Sequence, residues 1–65
     1  MSELTLSQAA TKSCQLSSLL MTIECLPIEI SSVDRENLIN LAADMSGEVA
    51  VFLMEQEKAQ EVRHA

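Results

Sequence analysis

The stretch Ile23-Glu24-Cys25-Leu26-Pro27-Ile28-Glu29-Ile30-Ser31-Ser32-Val33-Asp34 holds the single proline of the chain and decides its fold. A proline disfavours the α conformation in the residue before it, so a helix arriving at Leu26 has to stop there. Ile28 and Ile30 alternate with Glu29, which predicts an extended loop over 26–32 that lays two apolar side chains over the end of a helix pair. Ser31 or Ser32 can then accept from the first free backbone N–H groups of a second helix. Asp34 and Glu36 fall in its first turn, where negative charge complements the positive end of the helix dipole. The break thus separates two helices and predicts an all-α fold, a two-helix antiparallel hairpin formed by one domain spanning residues 1–65.

Upstream of the break, Leu6, Ala9, Ser13, Leu16, Leu20 and Ile23 recur at steps of three and four, the repeat of an amphipathic helix. The pattern predicts a helix from about Ser7 to Cys25 with Ser7 as its N-cap. At 100° per residue the apolar arc is wide: Leu26, Leu19, Ile23, Leu16, Ala9, Leu20 and Leu6 cover one flank and the centre. Ala10, Met21, Cys14 and Cys25 continue the arc on the other side. Thr11, Gln15, Ser18 and Thr22 form a narrow uncharged polar strip, and Lys12 and Glu24 are the charges. A surface helix usually sets one apolar stripe against a charged face, so this helix reads as surrounded by others.

Downstream, a helix is expected over about 33–61. Its main stripe is Leu38, Leu41, Ala42, Met45, Val49, Phe52, Leu53, Gln56 and Ala59. Asn37, Asp44, Glu48 and Glu55 line one flank. A second apolar patch of Ile39, Ala43, Ala50 and Met54 includes Gly47, a residue that costs a helix interior about 1 kcal/mol relative to Ala. Either the glycine is merely tolerated, or Ala43, Gly47 and Ala50 offer a small-residue surface to another helix. The charged end from Glu55 onward is expected to fray, with residues 62–65 outside the helix. Both helices carry more apolar surface than one neighbour can cover. The expectation is therefore a homo-oligomer, a dimer or higher, with two hairpins closing a four-helix bundle. The self-association residues are Leu16, Leu19, Leu20, Ile23, Leu38, Met45, Val49 and Phe52.

Composition narrows the function classes. The chain has 65 residues, 48% of them hydrophobic, and a formal net charge of -6. Nucleic-acid binding draws on basic groups that release counterions from phosphates. Here only Lys12, Arg35, Lys58 and Arg63 are basic, so direct nucleic-acid binding is not expected. The same charge opposes anionic membranes, and no apolar run approaches the roughly 18 residues of a membrane span. The start, Met1-Ser2-Glu3-Leu4, has neither the basic region nor the apolar core of a signal peptide, so a cytoplasmic location is expected.

Catalytic and metal chemistry find little to work with. Cys14 and Cys25 on one helix lie about 16 Å apart along its axis, beyond the roughly 7 Å reach of a disulfide. They are expected to be reduced, half-buried small hydrophobes. His64 is the single histidine, and with two cysteines it makes no known zinc spacing. A cysteine nucleophile needs a base within hydrogen-bond reach, and no residue fixes His64 there. No catalytic residue and no cofactor is expected, and the chain is read as non-enzymatic. The remaining candidates for partner docking are Asp44, Glu48 and Glu55, which can meet a basic partner protein or imitate a row of phosphates.

Three features carry a resemblance: the start Met1-Ser2-Glu3-Leu4-Thr5-Leu6, the two helical segments around Leu26-Pro27-Ile28, and the charged Glu55-Gln56-Glu57-Lys58. Together they make the chain similar to the small helical accessory proteins encoded in the early region of lambda-like temperate phages. That resemblance implies an early, non-essential protein that modulates phage development or host physiology. The length and hairpin plan also resemble a plasmid copy-number protein that forms a four-helix bundle and binds RNA through a basic face, which this sequence lacks. The leading reading is a regulatory or adaptor protein acting through protein contacts. Its rivals are an acidic inhibitor or nucleic-acid mimic, and a purely structural oligomer subunit.

Overall fold

The computed structural model describes the backbone of residues 4–64 and the side chains of residues 4–61. It is all-helical: α1 runs Leu6–Glu24 and α2 runs Ser32–His64, with no strand among the described residues. The helices pack against each other as a hairpin.

The start of α1 is set by Thr5, not by Ser7. The Thr5 hydroxyl accepts from the Gln8 backbone N–H at 3.1 Å, and the Gln8 side-chain oxygen accepts from the Thr5 N–H at 2.9 Å. This reciprocal capping box satisfies two N–H groups that the helix cannot bond itself. Ser7 has no glutamate or glutamine three residues on, so the cap falls two residues earlier than its hydroxyl suggested. Thr5→Ala should cost about 1 kcal/mol, read as a lower midpoint in thermal unfolding followed by circular dichroism; an unchanged midpoint would show that the first turn is dispensable.

At its other end α1 closes on Cys25, whose N–H turns to the carbonyls of Thr22 and Ile23. The connection then tightens, because the Ile30 N–H donates to the Pro27 carbonyl at 3.2 Å. The Arg35 guanidinium reaches back from α2 to that same carbonyl at 3.4 Å. An extended loop would have put Ile28 and Ile30 on one side. The turn rotates them apart, so Ile30 is half-buried while Ile28 is 89% exposed. Only one of the two isoleucines expected to cover the helix ends does so.

Ser31 caps α2, its hydroxyl accepting from the Asp34 N–H at 3.0 Å. The helix then continues to His64, three residues beyond the expected end; Ala65, which was expected to lie in the frayed tail, is outside the described residues. The segment after Glu55 is mostly Glu, Gln, Lys and Ala, all good helix formers, and no Gly or Pro interrupts it. Charge alone does not end a helix.

The two helices meet along a seam. Ala9 of α1 and Ala42 and Phe52 of α2 are buried, with Phe52 only 3% exposed. Leu16, Leu19, Ile23, Leu38, Met45 and Val49 are half-buried beside them. Leu41 and Leu53, expected in the same stripe, remain 50% and 57% exposed. They sit about 60° either side of the stripe centre at 100° per residue, too far round for one facing helix to cover. Gln56 and Ala59 are exposed for a different reason: α1 has ended by that level.

Register is marked by Lys12, whose ammonium lies 3.2 Å from both carboxylate oxygens of Glu48. From that level, a helix of 19 residues runs out near residue 54 of its 33-residue partner. About 15 Å of α2 therefore projects past α1. The molecule measures 54 × 17 × 16 Å.

Candidate interaction surfaces

The hairpin has two broad faces, and the helical repeat distributes different chemistry between them. Taking the seam as the inward direction, successive residues turn by about 100°. In an antiparallel pair the two helices wind in opposite senses about a common viewing direction, so the same flank of each falls on the same face. Lys12 and Glu48 identify the first. It carries Gln8, Thr11, Gln15 and Thr22 from α1 and Asn37, Asp44, Glu48 and Glu55 from α2. The second is uncharged along the length of α1 from Leu6 to Leu20. It carries Leu6, Ser13, Ser17 and Leu20 from α1 and Ile39, Ser46, Ala50 and Leu53 from α2.

This places the residues singled out in the sequence. Of the self-association set, Leu16, Leu19, Ile23, Leu38, Met45, Val49 and Phe52 line the hairpin's own seam; Leu20 is 48% exposed on the uncharged face. Sequence periodicity reports that a side chain faces inward, but not whether the neighbour is the same chain or another. Of the docking row, Asp44, Glu48 and Glu55 are all exposed on the polar face. Glu48 is held by Lys12, which leaves its charge largely neutralised toward a basic partner. The pairing joins residues 36 apart in sequence, and no local spacing announces it. The pair is partly solvated, so it contributes at most about 1 kcal/mol.

Cys14 and Cys25 are free, as their spacing requires, but both are exposed where half-burial was expected. They lie on the outer side of α1, opposite the seam. Cys25 lines a shallow open groove with Ser18, Met21, Thr22, Leu26 and Pro27 beside the turn. Among the described residues, no three His, Cys, Asp or Glu side chains are grouped so as to hold a metal ion, and no helix is long and apolar enough to cross a membrane. The side chain of His64 lies outside the described residues.

Gly47 points directly away from the seam, and a Cβ built on it would meet nothing within 4 Å. Within the hairpin it has no packing role. Gly47→Ala should therefore stabilise the protein by about 1 kcal/mol through helix propensity alone, visible as a raised thermal midpoint. A lowered midpoint would instead reveal a second helix packed closely over Ala43, Gly47 and Ala50.

No protein-family model matches the chain, and neither a curated protein sequence nor a solved structure matches it.

Proposed function

We propose that the chain is a non-enzymatic regulatory or adaptor protein that works through protein contacts, and that the first of these contacts is with a second copy of itself, giving a four-helix bundle. One observation carries this reading: the buried core of the hairpin is Ala9, Ala42 and Phe52, while ten large hydrophobic residues, from Leu6 to Met54, stay exposed. Chains near this size usually need a disulfide, a metal or a partner to hold a fold, and neither cysteine is bridged.

The magnitudes favour association. Fully burying a Leu, Ile or Met side chain contributes about 1.5–3 kcal/mol. Several such residues offset the roughly 4–15 kcal/mol of lost translational and rotational freedom. The assembled bundle would leave the polar face, with Asp44 and Glu55, available to a basic partner. The resemblance to accessory proteins of lambda-like phages suggests the setting, a host cytoplasm with a partner encoded by phage or host.

Light scattering at micromolar concentration tests the reading. The expected mass is at least twice the 7.1 kDa of the chain. A helical species of 7.1 kDa that persists on dilution would overturn it.

A further inference from the structure

We propose that a second copy of the chain docks on the uncharged face, across a two-fold axis that runs beside Ser13 and Ser46, with α2 lying antiparallel on α2 and α1 on α1. The proposal rests on the reading of self-association above and adds the surface and its geometry.

The area fits a dimer. The chain exposes 5190 Å², whereas a compact monomer of its mass exposes about 4,100 Å². The excess, about 1,100 Å², slightly exceeds the roughly 800 Å² that each partner contributes to a standard interface. Charge selects the face. Stacking the polar faces would bring together, from two copies, the carboxylates of Asp44 and Glu55, unpaired among the described residues, in a chain of net charge -6. The other face offers no charge between Leu6 and Leu20.

The sequence selects the axis. A two-fold interface is self-complementary, so residues equidistant from the axis meet across it. On α1, Leu6 and Leu20 lie seven residues either side of Ser13. On α2, Ile39 and Leu53 lie seven residues either side of Ser46. The Lys12–Glu48 pair puts Ser13 and Ser46 at nearly the same level. The face therefore has small residues at its middle and large apolar ones at both ends, 48–73% exposed in the hairpin alone. Reversal about the axis sets Leu6 on Leu20 and Leu53 on Ile39. The same symmetry continues outward: Glu57 and Arg35 lie eleven residues either side of Ser46 on the same flank. Each Glu57 then approaches Arg35 of the copy, which shares its flank with Glu24, and the base of the α2 projection, bare in the single hairpin, lies along the first turn of its copy.

The test uses the full chain with Cys14 and Cys25 replaced by Ser, so that a single introduced cysteine reports. Ser46→Cys should cross-link between chains with a short bis-maleimide, because the axis brings each residue 46 beside its copy. Gln15→Cys, on the polar face, should not. In parallel, Ser46→Glu places like charges together at the axis and should raise the dimer dissociation constant on the order of 100-fold or more, while Gln15→Glu leaves it unchanged. Position 46 is exposed in the hairpin itself, so a glutamate there does not disturb the seam. A dimer that ignores Ser46→Glu and cross-links through residue 15 overturns the face and leaves self-association standing. A wild-type chain that sediments as a monomer overturns both.

Discussion

Phe52→Ala should abolish the cooperative fold. Phe52 is the single large side chain in the buried core, and its companions there are two alanines. Truncating a buried phenylalanine typically costs 3–5 kcal/mol, lost transfer energy plus the cavity left behind. A core of this size rarely supplies more than about 3–5 kcal/mol in total, so the substitution removes most of what holds the helices together. Far-ultraviolet circular dichroism at micromolar concentration should show most of the helical signal gone at room temperature. Helices in proteins draw most of their stability from packing an amphipathic face rather than from propensity, and the seam is where α1 and α2 do so. Met54→Ala is the matched control: it lies two residues on, on the opposite side of the helix, and is 65% exposed, so its loss should shift the midpoint little. If Phe52→Ala melts as the wild type does, the seam is not what organises the molecule, and the stability must come from surfaces outside the hairpin.

Much of this fold is legible in the sequence because it depends on local rules. Pro27 breaks the chain where a proline must, Ser31 supplies the cap for α2, and the three-four spacing of Leu38, Ala42, Met45, Val49 and Phe52 marks the buried side of the helix. The misjudged boundaries are local as well. Thr5 and Gln8 form a capping box whose three-residue spacing could have been read directly in place of Ser7. α2 runs past its expected end because the propensity of its Glu, Gln, Lys and Ala residues outweighs the charge that suggested fraying. What the sequence could not give is which surface faces which. Periodicity put Leu41 and Leu53 in the same stripe as Phe52, since it averages over a wide arc. Only the width of a single facing helix separates the covered residues from the uncovered ones. The Lys12–Glu48 pair was hidden for the same reason, because it exists only once the register between distant segments is known. With that register in hand, part of the apolar excess of both helices, Leu6 and Leu20 of α1 with Ile39 and Leu53 of α2, falls on one shared face, while Met21, Leu41, Val51 and Met54 lie elsewhere on the surface.

Leu20→Asp should dissociate and unfold the protein together. In the isolated hairpin Leu20 is 48% exposed, so an aspartate there could turn toward water at a cost near 1 kcal/mol, from half a leucine's burial and weaker helix propensity. In an assembled bundle the same position is enclosed. An unpaired carboxylate there faces a desolvation penalty of several kcal/mol. The two cases differ enough to separate by measurement. Because partner binding stabilises the folded state by mass action, the wild-type thermal midpoint should rise with protein concentration. In Leu20→Asp the midpoint should fall by many degrees, since in a domain of this size 1 kcal/mol already moves it by about 4–8 °C. At the concentration where the wild type scatters as a dimer, the variant should scatter as a chain of 7.1 kDa with little helical signal. Met45→Asp should unfold the protein as well, but by breaking the seam inside each hairpin, so it cannot discriminate. The decisive comparison is Leu20→Asp alone: a variant that keeps its helical signal and its midpoint would show that the uncharged face is open to water in solution, and that the hairpin stands without its copy.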